Sequence, residues 1–194
     1  MRESPPDPRL LEALAPLLAR GGPVLLAIEG GSASGKTTLA AQLAQYYGDC
    51  SVFHTDDFFL QPHQRTPARY DEPGGNLDRE RFLAEVLRPL AAGRAVQYRR
   101  FDCHSMTLLP AVELPARRLN IIEGAYCMHP ELAGYYDLAV FLQVSPALQR
   151  ARIGRRNTPA QQQQFFTRWV PLEQRYFEAM QPRRRCALTL EETE

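Results

Sequence analysis

The 194-residue chain holds 23 basic and 22 acidic side chains, a formal net charge of +1, so no global field draws it to nucleic acid or to a membrane surface. Its 44% hydrophobic and 23% charged residues exclude a disordered or collagenous chain. At ~100–200 residues per domain the length fits one compact unit. No apolar run approaches the ~20 residues of a membrane span. The polar stretch Met1-Arg2-Glu3-Ser4-Pro5-Pro6-Asp7 has no signal-peptide core. Cys50, Cys103, Cys127 and Cys186 show no C-x-x-C spacing, which fits reduced thiols in the cytoplasm better than a disulfide frame or a zinc site.

Residues 9–19 read as an amphipathic helix stopped by Gly21 and Gly22. Residues 24–28 form a continuous apolar run ending in glycines, the pattern of a buried parallel strand, and residues 36–47 read as the helix after it. A short strand is expected over 51–54, then a Pro- and Gly-rich loop through Gly75, a helix over 78–92 and an extended or hairpin segment over 96–101. Strands are expected over 119–123 and 138–144. Ser145-Pro146 and Thr158-Pro159 each place an N-cap ahead of a first-turn proline, and the second helix runs to about Met180 with a disturbance at Pro171. A last strand is expected over 186–190. Strands alternating with helices imply a parallel α/β sheet covered on both faces, with ligands at the carboxyl ends of its strands.

Gly30-Gly31-Ser32-Ala33-Ser34-Gly35-Lys36-Thr37 matches G-x-x-x-x-G-K-[ST] in full, between a strand and a helix as that motif requires. Lys36 is the only lysine in the chain. The glycines let successive backbone N–H groups turn inward as an anion nest, and the helix N-terminus adds partial positive charge. Lys36 is expected on the terminal phosphates of a nucleoside triphosphate and Thr37 on Mg²⁺. With the one lysine so used, the Asn-Lys-x-Asp motif of a GTPase cannot be written. Asp71-Glu-Pro-Gly74 mimics D-x-x-G but lies in a loop away from a strand end.

Three further groups favour a small-molecule kinase. His54-Thr-Asp-Asp-Phe-Phe59 closes the second strand, where a carboxylate can take the proton of an attacking hydroxyl, or where Asp56 and Asp57 can serve as caps or orient Mg²⁺. Glu123-Gly124 follows an apolar strand and places a carboxylate for Mg²⁺. Arg150, Arg152, Arg155 and Arg156 cluster near a helix end, read as a phosphate-clamping lid against the alternative of a solvated face. His63 and His129 read as surface residues, and Phe165, Phe166 and Trp169 as packing of the last helix onto the domain.

With these residues the chain resembles the uridine kinase (uridine–cytidine kinase-like) family of P-loop small-molecule kinases, near phosphoribulokinase and pantothenate kinase. The resemblance is carried by residues 28–38, 54–59, 71–78, 120–125, 136–141 and 152–155. It implies a P-loop NTPase fold of about five parallel strands in one domain over 1–194, with a substrate-binding insertion at about 56–110 and a lid at about 150–160. It implies ATP and Mg²⁺ as cofactors, the loop residues 30–37 with Thr38 on the nucleotide, and phosphorylation of the 5′-hydroxyl of uridine or cytidine. Asp56 falls where the family has its general base, and Asp78 where a carboxylate binds ribose hydroxyls. Tyr98, Phe101 and His104 fall in the segment that cradles the nucleobase, and Arg152 and Arg155 match lid arginines. Members often assemble as homo-oligomers.

The chain departs from the family pattern at several points. Asp57 and Phe59 stand where the family has Ser and Tyr, Leu77 replaces Phe, Arg156 replaces Asp, and the spacing from Tyr98 to His104 is one residue longer. These leave the acceptor open to another alcohol: nicotinamide riboside, a sugar, a pantothenate-like alcohol or a sugar phosphate. From a different class, a regulatory module that binds ATP without transferring phosphate also carries a P-loop.

Overall fold

A computed structural model describes residues 5–192, so the first four residues of the polar N-terminal stretch lie outside the described residues. In chain order the elements are α1 (Pro8–Ala19), β1 (Val24–Gly30), α2 (Lys36–Tyr47), β2 (Cys50–His54), α3 (Pro67–Asp71), α4 (Arg79–Phe82), α5 (Arg88–Ala91), β3 (Val96–Tyr98), β4 (Phe101–Asp102), β5 (Thr107–Leu108), β6 (Val112–Leu114), β7 (Leu119–Glu123), α6 (Pro130–Ala133), β8 (Leu138–Val144), α7 (Pro146–Arg156), α8 (Pro159–Gln164), α9 (Val170–Met180) and β9 (Leu188–Glu192). Five strands form one sheet in the order β2-β7-β1-β8-β9, parallel throughout. This is the parallel α/β architecture expected from the alternation of strands and helices. β1 lies at its centre, so the chain that leaves its carboxyl end enters the crevice where the strand order reverses.

The alternation along β1 divides the core between the two faces of the sheet. Leu26 and Ile28 pack with Leu10, Leu14, Leu39 and Leu43 of the flanking helices α1 and α2. Leu25 and Ala27 face the other way, into a cluster that holds Phe53, Phe58, Phe82, Val86 and Tyr176. Burying each large apolar side chain contributes about 1.5–3 kcal/mol, so the two layers hold the sheet between them. Among the described residues no helix is long and apolar enough to cross a membrane.

Two helices expected to be continuous are interrupted. The helix over 78–92 contains a π-helical turn at Leu83–Leu87, and the long C-terminal helix contains one at Phe165–Trp169. Each turn lies just ahead of a proline, Pro89 or Pro171. Proline has no N–H for the carbonyl one turn back, and a wider turn relieves the clash of its ring with that carbonyl. The segment after residue 95 is two hairpin pairs, β3 with β6 and β4 with β5. His129 is buried rather than on the surface, because it caps α6 with Nδ1 accepting from Glu131 N at 3.3 Å.

Candidate active site

Between β1 and α2 the backbone turns back on itself. Ala33 (φ 61°) and Gly35 (φ 96°) occupy the left-handed region that forms an anion nest. The buried Ser34 hydroxyl has no hydrogen-bond partner among the described residues, leaving a donor for a phosphate oxygen. Lys36 Nζ donates to Gly31 O at 2.8 Å, folded across the loop on which a nucleotide would lie. These features fit a triphosphate. Two neighbours hold the loop from outside: Gln149 Nε2 donates to Ser32 O at 2.8 Å, and Arg152 donates to Ala33 O at 3.2 Å.

Beside the loop, Thr37 Oγ1 donates to Glu123 Oε1 at 2.9 Å, and His54 Nδ1 lies 2.6 Å from that same oxygen. Burial pushes the Glu123 carboxyl up, but the His54 hydrogen bond and the charge of Lys36 outweigh it and hold the group below its ordinary value. An ionised carboxylate and a hydroxyl at the head of α2 are the hard oxygen donors Mg²⁺ takes, with water and phosphate completing its shell. Gly124 lets the turn that follows β2 approach closely, because a Cβ there would lie 1.8 Å from Thr55 Oγ1.

The two aspartates after β2 have different surroundings. Asp57 is held in place: Tyr98 Oη donates to Oδ2 at 2.7 Å and Arg100 Nε to Oδ1 at 3.0 Å. Asp56 has no hydrogen bond or ion pair among the described residues. Its side chain meets solvent in a cleft that protein surrounds on most sides. That crowding raises the carboxyl above its ordinary value, Lys36 opposes the shift, and Glu123 and Asp57 add to it.

The cleft in front of Asp56 measures about 380 Å³, and its walls include Ser32, Phe59, Arg65, Asn76, Trp169 and Glu173. Its size suits a small molecule. The Trp169 ring stacks on Phe59 at 6.5 Å and 21°, so Trp169 walls the cleft, and Phe165 lines it as well, instead of merely packing the helix. The π-helical turn before Pro171 presents Phe165, Arg168 and Trp169 to the cleft together. Glu173 takes both donors of Ser32, the backbone N–H at 2.9 Å and the hydroxyl at 2.6 Å, and thereby ties α9 to the phosphate loop. Deeper, Glu29 accepts from the N–H groups of Gly30, Tyr126 and Met128 and from Tyr176 Oη.

The residues expected to hold the acceptor are distributed differently. Asp78 is buried as the N-cap of α4 and pairs with Arg81 through its backbone N–H at 3.1 Å and its Nε at 3.3 Å. Tyr98 is buried, with its ring against Phe53 and Phe58. Phe101 is buried beneath Arg65, whose guanidinium lies 5.5 Å from the ring centre. His104 is exposed in the β4–β5 turn. None of these four lines the cleft around Asp56. In the lid, Arg152 reaches the phosphate loop, Arg155 is exposed, and Arg150 and Arg156 lie over Phe166 and Phe165 at 4.8 and 6.0 Å. Sequence reasoning missed Arg65 and Glu173, which carry no motif and reach the cleft only through the fold.

No family model matches the chain. A uridine kinase of Brevibacillus brevis is 29% identical over 141 residues, which cover 68% of this chain and 65% of that protein, just under two thirds of its length. The bifunctional alpha-galactosidase/sucrose kinase of Mediterraneibacter gnavus is 30% identical over 180 residues, 80% of this chain and 19% of that protein. The solved structure of a possible uridine kinase from Bacillus stearothermophilus matches with a TM-score of 0.67 at 24% identity, covering 94% of this chain and 99% of that one. The chain is thus similar in sequence to proteins named uridine kinases and shares the fold of the possible uridine kinase from Bacillus stearothermophilus.

Proposed function

We propose that the protein is an ATP- and Mg²⁺-dependent kinase that transfers the γ-phosphoryl group to a hydroxyl of a small molecule held in the cleft. The observation that carries this reading is Asp56: a carboxylate with no hydrogen bond or ion pair among the described residues, at the junction of the cleft with the phosphate loop. A module that only binds ATP needs no such group. Lys36 and the loop N–H groups would hold the β- and γ-phosphates, and Thr37 and Glu123 would hold Mg²⁺, which supplies charge neutralisation on the phosphates. Asp56 would accept the proton of the attacking hydroxyl, and its raised affinity for protons suits that task. Arg152 and Arg155 would close over the transferring group and exclude water that would otherwise hydrolyse ATP.

The names of the relatives favour uridine as the acceptor, and the family resemblance extends this to the 5′-hydroxyl of uridine or cytidine. A second reading, another alcohol, is favoured by the commitment of Asp78 to Arg81 and of the Tyr98 hydroxyl to Asp57. ATP and reduced thiols coexist in the cytoplasm, the setting this reading assigns. The test is ADP release from Mg·ATP with uridine, cytidine, sugars, pantothenate and sugar phosphates as acceptors. Acceptor-stimulated release with formation of the phosphorylated alcohol is expected. Tight ATP binding with no stimulation by any acceptor would leave the regulatory module.

A further inference from the structure

The walls of the cleft carry charged groups of both signs. Asp56 and Glu173 lie at its phosphate-loop end, where Glu173 is fixed on Ser32. Two other wall residues are arginines from separate parts of the chain, Arg65 before α3 and Arg168 in the π-helical turn. Five arginines from the same insertion as Arg65 are neutralised by carboxylates: Arg69 by Glu80, Arg79 by Glu72 and Glu131, Arg81 by Asp78, Arg99 by Glu85 and Arg100 by Asp57. Arg65 and Arg168 have no carboxylate within 4.0 Å among the described residues.

Both are nevertheless held in place. Arg65 Nε donates to Leu60 O at 2.8 Å, and its guanidinium lies over Phe101. The Arg168 guanidinium lies 5.1 Å from the Tyr70 ring centre and 4.7 Å from that of Trp169. Aromatic faces fix the Arg168 guanidinium plane without using its N–H edges, while Arg65, with Nε on Leu60 O and the Cys103 thiol beside it, keeps Nη donors for an oxyanion. A neutral nucleoside gives two uncompensated arginines nothing of opposite charge. A molecule that carries both a hydroxyl and an oxyanion complements the free carboxylate and the arginines of the same cleft.

We infer that the acceptor is an anionic alcohol, a phosphate ester or carboxylate whose oxyanion is bound by Arg65 and Arg168 while its hydroxyl is presented to Asp56. This rests on the kinase reading for the hydroxyl's fate but not for the oxyanion's binding, so the two can fail separately.

The test uses ligand pairs that share a carbon skeleton: ribose with ribose 5-phosphate, glycerol with glycerate, and pantothenol with pantothenate, with uridine and cytidine as neutral nucleosides. Binding is measured by calorimetry in the presence of Mg²⁺ and a non-hydrolysable ATP analogue, and turnover by ADP release. The anionic member of at least one pair is expected to bind about 10- to 100-fold more tightly than its neutral partner. The phosphate and carboxylate arms tell the two sources apart. Raising salt should reduce the preference, and Arg65→Met or Arg168→Met should abolish it. Arg168 is exposed, so its replacement should fold; Arg168→Lys keeps the charge but not the fork and should retain part of the preference. Affinity for the ATP analogue reports that each variant is intact. Equal or tighter binding of the neutral member in every pair, or a preference that survives both methionine variants, overturns the inference. An oxyanion preference without phosphoryl transfer keeps this site and removes the kinase reading. Transfer to a neutral alcohol alone does the reverse.

Discussion

Tyr98→Phe separates a structural tyrosine from a substrate-binding one. The Tyr98 hydroxyl accepts from His54 N at 3.0 Å and donates to Asp57 Oδ2 at 2.7 Å. Phenylalanine keeps the ring contacts with Phe53 and Phe58 but removes both hydrogen bonds. A hydrogen bond to a charged group contributes about 1.5–3 kcal/mol, and a buried N–H left without a partner costs about 1–3 kcal/mol. Asp57 keeps Arg100 and is partly hydrated, so the two losses overlap, for a total of about 2–4 kcal/mol. At about 2–4 °C per kcal/mol for a chain of this size, Tm falls by about 5–15 °C. Calorimetry and urea denaturation measure the loss, and steady-state kinetics below the new Tm should show acceptor KM within about threefold of wild type. Unchanged stability with a tenfold rise in acceptor KM would refute the structural assignment and return Tyr98 to the acceptor site.

Other expectations follow from the buried carboxylates and the loop. Because crowding raises the Asp56 carboxyl, kcat/KM should fall on the acid side at a pH above the ordinary aspartate range of about 4; an acid limb at or below that range would count against Asp56 as the base. Burial pushes Glu29 up to about 7 despite its four donors. The folded protein therefore binds that proton more tightly than the unfolded chain, and the contribution is full below an ordinary glutamate value and lost as pH rises through about 7. Denaturation at several pH values should show wild type losing stability relative to Glu29→Gln between about pH 4.5 and 7; parallel curves would contradict this. Thr37→Ala should raise the Mg²⁺ concentration for half-maximal activity by at least about tenfold while metal-free nucleotide affinity changes little; an unchanged Mg²⁺ requirement would remove Thr37 from the metal site.

The phosphate loop was legible because its chemistry is contiguous: one strand, one turn and one helix start contain every group. The order of the strands was not, since pairing β1 with both β7 and β8 depends on contacts far apart in sequence. Pro171 signalled a disturbed helix, but not that the disturbance would be a π-helical turn that delivers Arg168 and Trp169 to the cleft. Asp56 and Asp57 are adjacent and alike in sequence; only the hydrogen bonds from Tyr98 and Arg100 distinguish them. Asp78 is chemically able to bind a diol, yet the Arg81 one turn on occupies it. Glu173 and Ser32 are 141 positions apart, a separation over which local pattern carries no information.

The most direct test of the central claim is Asp56→Asn, followed by single-turnover phosphoryl transfer and by the dissociation constant for Mg·ATP. Removing the base while keeping shape and hydrogen-bonding capacity should slow transfer by about 10²–10⁴-fold. Affinity for Mg·ATP should stay within a few-fold of wild type, because among the described residues Asp56 makes no hydrogen bond or ion pair with Lys36, Thr37 or Glu123 and acts on them only through its charge. Transfer at the wild-type rate would contradict the account and move the proton acceptor elsewhere in the cleft.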